Sequence, residues 1–304
     1  DYNGFGMQWA NAAALSNEGL ELLIKYEIFR RPDLYWKISV NGARNWNRIE
    51  KSYNGKDLAF GITGKPLNRI YGYKTNGYVQ KQEDLPLYFT TQGESYYLYP
   101  LAGFYTSFYR PGDYHYVDVN SDSYIFNDQV FLGSALPIIS GGIVNEFRWK
   151  NFDLNFSMHY SIGRHMVNQL PSISLVFLPD PSQRFYKHPV FVDINKTTFW
   201  QQEGDNSDYA QLRVGSEGNV LDRRVEKVNY LKLKTLTVGY NLPKSLISKW
   251  GMEQLRVFVS GENLLTFSNY SGVDPEVVSI VNGVDDGTSY PLARKFTLGL
   301  TVKF

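Results

Sequence analysis

The chain has 304 residues, and its 31 lysines and arginines nearly balance 30 aspartates and glutamates, so the formal net charge is +1. Because nucleic-acid-binding surfaces are typically basic, this balance argues against a nucleic-acid partner. The absence of cysteine excludes disulfide scaffolds, thiolate zinc sites and cysteine nucleophiles, and no apolar run reaches the ~18 residues of a membrane helix.

Aromatic residues are frequent, at 16% of the chain with 23 tyrosines, and 26 glycines accompany them. This composition is typical of outer-membrane proteins, whose strands alternate between lipid and lumen, so that the average hydropathy hides the membrane span. The N-terminal part shows two apolar stripes of alternate residues, one from Leu20 to Ile28 and one from Leu34 to Val40. Pro32 lies between the stripes and predicts a turn.

The middle of the chain contains the clearest alternation. From 151 to 163 every even position is apolar and every odd position is polar or glycine, which indicates a strand with one apolar face. A second alternation ends at Trp149, and a two-residue turn at 150–151 would pair Trp149 with Phe152 on the same face. A further strand is expected around Arg69–Val79.

The C-terminal part carries three more stripes, at Leu236–Leu242, Leu255–Val259 and Phe296–Phe304. Just upstream of the stripe at Leu236–Leu242, two leucines occupy odd-numbered positions, whereas the stripe itself occupies even-numbered ones. The apolar alternation therefore slips by one residue. The slip predicts a β-bulge or a change of environment along one long strand. Pro243–Gly251 is predicted to form a short helical turn, with proline at its start and glycine at its end.

The connections between these strands alternate in length. Short ones lie near 30–33 and 150–151, a moderate one near 243–253, and long ones at 47–140, 164–225 and 268–289. Because outer-membrane barrels have short turns on one side and long loops on the other, the predicted fold class is an all-β, antiparallel transmembrane β-barrel. About seven strands are clear, and the Tyr2–Ala14 region would supply an eighth. These loops are large for an eight-stranded barrel, whose lumen is filled by side chains, so we expect part of a wider barrel.

Several motifs occur in a fixed order along the chain. They lie at Asn17–Leu22, Pro111–Asp113, Asp118–Asn120, Gly133–Pro137, Gly141–Gly142, Tyr230–Pro243, Leu255–Phe267 and Tyr270–Glu276. Together they resemble the C-terminal end of the SusC/RagA family of TonB-dependent outer-membrane transporters. The resemblance covers most of the chain, in register with the predicted strands.

The resemblance implies that residues 1–304 form the C-terminal part of a wide, plugged barrel, and that the plug and the N-terminal strands lie outside this chain. It implies a Gram-negative type of outer membrane as the location and the lipid bilayer as a contact. Its implied partners are the remaining plug and barrel portion, a SusD-like surface lipoprotein that caps the barrel as a lid, and TonB, reached through the missing N-terminal part. The implied function is the import of oligosaccharides or peptides.

Two other functions stay open from the residues. The chain would otherwise be a small autonomous outer-membrane barrel, acting as an adhesin or a passive channel, or a secreted β-rich glycan-binding protein or hydrolase. No Ser/His/Asp set or phosphate-binding loop emerges, and two acids do not indicate a glycosidase without a known separation. We therefore do not expect an enzyme.

One acidic run resembles a calcium loop. Asp118, Asn120 and Asp122 would supply oxygen ligands at the first, third and fifth positions. A serine stands where such loops have the turn glycine, and Gln129 stands where an acid would close the shell, a place that Asp128 would take instead. The alternative is a solvated turn. Apart from this structural calcium ion, we expect no cofactor.

The long loops carry aromatic side chains that would stack on sugar rings or contact peptides. We name Tyr105, Tyr109, Tyr186 and Trp200 as candidate solute contacts. Packing within the loops and contact with the lid protein are the alternatives.

The last stripe resembles the barrel-assembly signal of outer-membrane proteins, carried here by Phe296 and the final residue Phe304. The alternative is an ordinary terminal strand with a buried phenylalanine. Near the predicted turns, four aromatic residues would form an interfacial girdle, or else belong to a soluble core. These residues are Trp36, Trp149, Phe152 and Tyr240. Arg256 and Glu262 fall on the polar face and are expected to point into the lumen, where they would form wall contacts or else touch the plug or a solute. His159 also faces the lumen and is expected to be a hydrogen-bonded wall residue.

Overall fold

The computed structural model describes residues 13–52, 63–84, 88–89, 95–96, 111–121, 128–169, 198–211, 220–287 and 289–304. Its strands are β1 (Ala13–Arg31), β2 (Leu34–Ser52), β3 (Arg69–Gly72), β4 (Thr75–Tyr78), β5 (Tyr88–Phe89), β6 (Ser95–Tyr96), β7 (Tyr114–Tyr116), β8 (Val130–Ser134), β9 (Ile139–Trp149), β10 (Phe152–Asn168), β11 (Val225–Asn241), β12 (Gln254–Ser268), β13 (Val284–Asp285) and β14 (Lys295–Lys303). The helical elements of these residues are α1 (Lys244–Ile247) and 3-10 turns at Gln82–Asp84, Asp222–Arg224 and Ser248–Trp250. Among the described residues, no helix has the length and apolar character needed to cross a membrane.

Seven long strands form one antiparallel sheet in the order β1–β2–β9–β10–β11–β12–β14, and β13 adds a short parallel pairing to β10. The seven strands predicted from the alternation are therefore confirmed. β1 starts at Ala13, so the rest of the predicted eighth strand at Tyr2–Ala14 lies outside the described residues. Within the described part of the chain, β1 and β14 each pair along one side, and the sheet is an open section of wall.

Two tight turns join neighbouring strands at one end of the sheet. Arg31 pairs with Leu34 across the proline turn, and Trp149 pairs with Phe152 across the second turn. Lys150 in that second turn has a positive φ of 51°. Both turns predicted from the sequence are confirmed, and this end of the sheet is called the turn end below.

The outward face of the sheet is apolar and exposed. On β14, Phe296, Leu298 and Leu300 are 74%, 75% and 67% exposed, and Leu20 on β1 is 69% exposed. A soluble chain rarely leaves so many neighbouring apolar side chains in water, whereas a barrel strand presents them to lipid. The predicted fold class is confirmed: these strands are part of an antiparallel transmembrane β-barrel.

A row of one leucine and three aromatic residues crosses the outward face at the turn end. The register places Leu34, Trp149, Phe152 and Tyr240 side by side on four neighbouring strands. The ring centroids of Phe152 and Tyr240 are 4.7 Å apart, and Trp36 lies two residues further along β2. The four aromatic residues predicted as a girdle therefore lie near one end of the wall, as a membrane interface requires.

A β-bulge in β11 explains the predicted phase slip. Leu233 pairs with Met158, and Thr235 pairs with Ser157, the neighbour of Met158. Lys234 is thus the extra residue, and the apolar residues on either side of it keep the same outward face. The prediction of a bulge at this point is confirmed.

β10 contains a second irregularity, which the sequence did not reveal. Ser161 pairs with Tyr230 and Arg164 pairs with Val228, so two residues of β10 oppose one residue of β11. Gly163 has a φ of +75°, a conformation that favours glycine. As a result Arg164 and Ser161 line the same inner cavity. In a regular strand, residues 161 and 164 would point to opposite faces, because side chains alternate.

The connections complete the described fold. Pro243 precedes α1, and Gly251 ends the following 3-10 turn with a left-handed φ of 69°, so the predicted helical turn is confirmed. β3 and β4 lie within the predicted strand region Arg69–Val79. At the opposite, loop end, a buried cluster joins the described outer-loop segments. This outer-loop cluster contains Tyr73, Tyr78, Val79, Tyr114, Tyr116, Trp200, Ala210 and Leu221.

Candidate functional site on the inner face of the wall

Residues 269–294 connect β12 to β14, and we call this connection the inner loop. Its described residues lie against the inner face of β10 and β11. Its short strand β13 extends the edge of β10 by a parallel pairing. From the side of β3, the Asn68 side-chain amide donates a hydrogen bond of 2.6 Å to the carbonyl of Ile280. The inner loop is therefore attached both to the wall strand β10 and to the segment that precedes β3, and it forms part of the inner surface.

Four charged side chains tie the inner loop to β11. Lys232 Nζ lies 2.9 Å from Asp274 Oδ2 and 2.8 Å from Glu276 Oε2, and Lys234 Nζ lies 2.8 Å from Glu276 Oε1. Lys232 and Asp274 are both buried. Because two lysines balance two carboxylates, these four residues carry no net charge together.

The two carboxyl groups of this network are held in their charged form. Burial raises the pKa of Asp274 and of Glu276, but hydrogen bonds and charge from Lys232, joined at Glu276 by Lys234, outweigh it. The pKa of each carboxyl therefore lies below its usual value. Removing one partner from a buried pair leaves an uncompensated charge, which typically costs about 3–5 kcal/mol. The network therefore fixes the position of the inner loop.

Arg164 holds the backbone of the same loop. Its Nη2 atom donates to the carbonyl oxygens of Val278 at 3.1 Å and Ser279 at 2.9 Å. A buried apolar cluster lies beside these bonds and contains Met166, Val228, Tyr230, Tyr270 and Val278. Wall and loop residues are thus packed together as well as hydrogen-bonded.

Tyr270 forms a buried hydrogen bond within the loop. Its hydroxyl donates to Asp285 Oδ2 at 2.6 Å. Burial, followed by the hydrogen bond and charge of Asp285, raises the pKa of Tyr270, so that the phenol keeps its proton. Next to it, the Ser271 amide donates to Glu226 at 2.9 Å, and the Asn168 side chain donates to Ser271 Oγ at 2.8 Å.

A cavity of about 200 Å³ lies on the inner face, beside the inner loop. Its floor is a row of residues on four neighbouring strands, Ala43, Ser140, Ser161 and Tyr230. Further lining residues are His159, Arg164, Asn45, Leu136, Pro137 and Ile280. The cavity therefore combines hydroxyl groups, an imidazole and a guanidinium.

At the turn end, the inner face carries a second charged pair. Arg256 Nε and Nη2 donate to the two carboxylate oxygens of Asp153 at 2.8 Å and 2.5 Å. A Cβ at Gly239 would lie 2.5 Å from Arg256 Nη2 and from Asp153 Oδ1, so the pair needs glycine beneath it. Glu262 faces Lys295 at 3.7 Å in an exposed pair. The expected wall contacts of Arg256 and Glu262 are confirmed.

The predicted solute contacts fall mostly outside the described residues: Tyr105, Tyr109 and Tyr186 are among those left out. Trp200 is described and is only 6% exposed, within the outer-loop cluster. Its Nε1 atom donates to Gln80 Oε1 at 3.3 Å. This burial supports the alternative of packing within the loops for Trp200.

The predicted calcium loop is described in part. Asp118, Asn120 and Asp128 belong to the described residues, and Asp122 does not. In the described ranges, no three His, Cys, Asp or Glu side chains are grouped so as to hold a metal ion. The calcium site stays a prediction.

Both residues of the predicted assembly signal are on the outer surface. Phe296 is 74% exposed near the start of β14, and Phe304, which follows β14, is 81% exposed. Their position suits recognition by another molecule, and their role in assembly stays a prediction.

Sequence reasoning missed the residues that hold the inner loop. The signal for Lys232 and Lys234 was their position at the phase slip, where each alternates with a leucine. Asp274 and Glu276 stand in a motif noted for its resemblance alone. The pairing itself joins residues 42 positions apart, which no local pattern predicts.

Taken together, an apolar outward face and an inner face that holds a folded loop define the chain as a section of a large transmembrane β-barrel. No family model matches the chain. It is 30% identical to the TonB-dependent receptor P3 of Formosa agariphila over 328 aligned residues, which cover 100% of this chain and 30% of that protein. It is 24% identical to the TonB-dependent receptor SusC of Bacteroides thetaiotaomicron, over 97% of this chain and 27% of SusC.

Solved structures give the same result for the fold. The chain matches the structure of the RagAB peptide transporter with a TM-score of 0.62 at 22% identity, over 100% of this chain and 31% of that chain. It matches the open-open state of the RagAB peptide importer with a TM-score of 0.63 at 21% identity, over 100% of this chain and 30% of that one. The resemblance to SusC/RagA-type TonB-dependent receptors is confirmed along the whole chain. The chain spans about 30% of the length of the relatives it matches.

Proposed function

We propose that this chain forms part of the wall and the extracellular loops of an outer-membrane importer that is driven by TonB. The observation that carries the proposal is the inner loop, which buried ion pairs tie to the inner face of a wall whose outward face is apolar. A small barrel has a lumen filled by side chains and no room for such a loop. A wide, plugged barrel has that room, and the similarity to TonB-dependent receptors supports this type.

We infer that the rest of the transporter joins at the two edges of the sheet. In hydrocarbon, each unpaired backbone N–H or C=O group costs several kcal/mol, so barrel strands pair on both sides. β1 and β14 pair on one side within the described residues. We infer that strands of the remaining barrel portion cover these edges, and that a plug fills the lumen against the inner face.

The proposed transport cycle assigns this chain no chemical step. A SusD-like surface lipoprotein would cap the loop end and hold the solute, and TonB would then pull on the plug to open the lumen. The solute would be an oligosaccharide or a peptide. The peptide is supported by a structural neighbour that is called a peptide transporter, and the oligosaccharide is what the family resemblance implies.

The test uses the full transporter that contains this chain, in its own cells. We expect uptake of its oligosaccharide or peptide to be lost both when the transporter is deleted and when TonB is absent. Affinity purification in detergent should recover a plug-containing portion and a surface lipoprotein with this chain. Uptake that persists without TonB would contradict the proposal and favour a passive channel. Folded protein released without detergent would favour a secreted glycan-binding protein.

A further inference from the structure

Arg164 has an unusual set of partners for a buried cation. It is 2% exposed, and its described hydrogen bonds are the two that Nη2 donates to loop carbonyls. Its Nε atom is buried and has no hydrogen-bond partner among the residues that the structure describes. A guanidinium has five N–H donors, so donors remain unused.

Among the described residues, the surroundings of Arg164 supply no counter-charge. In the described part of the chain, no carboxylate forms an ion pair with Arg164, because Asp274 and Glu276 are bound to the two lysines of β11. The cavity beside Arg164 is lined by this one arginine and by no aspartate or glutamate. Burying a charge is costly unless an opposite charge or hydrogen bonds compensate it.

The other polar groups of the cavity suit an anion. Ser140 and Ser161 present hydroxyl groups on its floor, and Tyr230 and His159 lie beside them. The Tyr230 hydroxyl and His159 Nδ1 are 3.3 Å apart, so this pair can rearrange to donate to an incoming oxygen. The side chains around Arg164 can therefore donate several hydrogen bonds to a single small anionic group.

We propose that this cavity is an anion subsite on the inner face, which receives a carboxylate group of the solute and binds it through Arg164. The inference rests on the proposed function, since it takes the inner face to be the path of the solute. Two sources of a carboxylate fit the cavity: a uronic acid of an oligosaccharide, and the terminus or an acidic side chain of a peptide. A planar guanidinium is well suited to bind either one.

The experiment measures the binding of two matched pairs of probes to the full transporter in detergent, by saturation-transfer NMR. One pair is glucuronate and glucose, and the other is N-acetylglycine and N-acetylglycinamide; only the first member of each pair is anionic. We expect at least one anionic probe to bind about tenfold more tightly than its neutral partner, as a charge-assisted hydrogen bond predicts. Preference for glucuronate would identify the uronic acid as the source, and preference for N-acetylglycine the peptide.

Two variants test the role of the cation. R164Q should abolish the preference for the anionic probe. N45D, at an exposed position on the cavity wall, keeps Arg164 and its loop contacts but adds a negative charge, and should weaken the anionic probe selectively. If R164Q does not fold, the effect of N45D on the binding of the anionic probe decides whether the subsite exists. Equal binding of charged and neutral probes to the wild type, or a preference that N45D leaves unchanged, would overturn the subsite. TonB-dependent uptake, measured in parallel, would then still support the proposed import function.

Discussion

Lys232 and Asp274 lie 42 positions apart in the chain and form an ion pair of 2.9 Å that joins a wall strand to the inner loop. Both side chains are almost completely buried, at 2% and 8% exposure. A pair of this kind contributes little as a whole but costs much when one partner is removed, because the other charge stays buried. It therefore determines where the loop lies more than how stable the barrel is.

The first prediction concerns this pair. K232M should destabilise the docked inner loop by about 3–5 kcal/mol, because it leaves the Asp274 carboxylate without its main partner. Hydrogen exchange of residues 269–294 in the full transporter measures the effect. The matched control is K295M, whose exposed partner Glu262 lies at 3.7 Å and whose loss should cost about 0–1 kcal/mol. Equal protection of the inner loop in both variants would contradict a role of Lys232 as its anchor.

The second prediction concerns pH. The pKa values of Asp274 and Glu276 are lowered in the folded state. Their contribution to docking is therefore complete above the unfolded values, near 4, and is lost as the pH falls through the lower folded values. Proteolysis of the inner loop by an acid-active protease should thus increase only at strongly acidic pH. In D274N this dependence should become weaker, and an unchanged profile would show that other groups control the loop.

The third prediction concerns the turn end. G239A should disrupt the Arg256–Asp153 pair, since the new Cβ would lie 2.5 Å from atoms of both side chains. We expect a loss of about 1–3 kcal/mol in the free energy of unfolding, measured with urea in detergent. G142A is the control, because its added Cβ would lie 3.1 Å from Asn41 Oδ1 and 3.3 Å from the Met158 carbonyl oxygen, contacts that need shifts of only a few tenths of an ångström. A larger effect of G142A would speak against the importance of the charged pair.

The fourth prediction concerns the last residue. Deletion of Phe304, which is 81% exposed after an edge strand, should reduce the amount of assembled transporter in the outer membrane several-fold. Quantitative immunoblotting of membrane fractions gives the amount. F267A, which removes another exposed phenylalanine from β12, should leave assembly intact if position at the terminus is what matters. The same loss in both variants would indicate a general requirement for apolar surface.

The strands and turns could be predicted because each depends on neighbouring residues. The alternation around Phe152 determines which side chains share a face, and the proline at 32 limits where a strand ends. Even the bulge at Lys234 left a local trace, since it shifts the apolar phase by one residue.

The inner loop could not be predicted, because its contacts depend on tertiary structure. Nothing near Asp274 in the sequence indicates Lys232 as its partner. The alternation of β10, continued beyond Gly163, would place Arg164 on the outward face, and only the backbone at Gly163 shows otherwise. Trp200 illustrates the same limit: an aromatic loop residue has the same sequence pattern whether it binds a solute or packs in a cluster.

The bulge at Gly163 makes chain length, as much as residue type, a determinant of what the inner face presents. Since side chains alternate along a strand, deletion of a single residue there would reverse the direction of every residue that follows in β10. Arg164 and Met166 would exchange their places with their neighbours, although no remaining residue had changed its identity. An insertion or deletion of one codon can thus create or remove an attachment point for an inner loop, and related barrel walls can diverge in this way without any substitution.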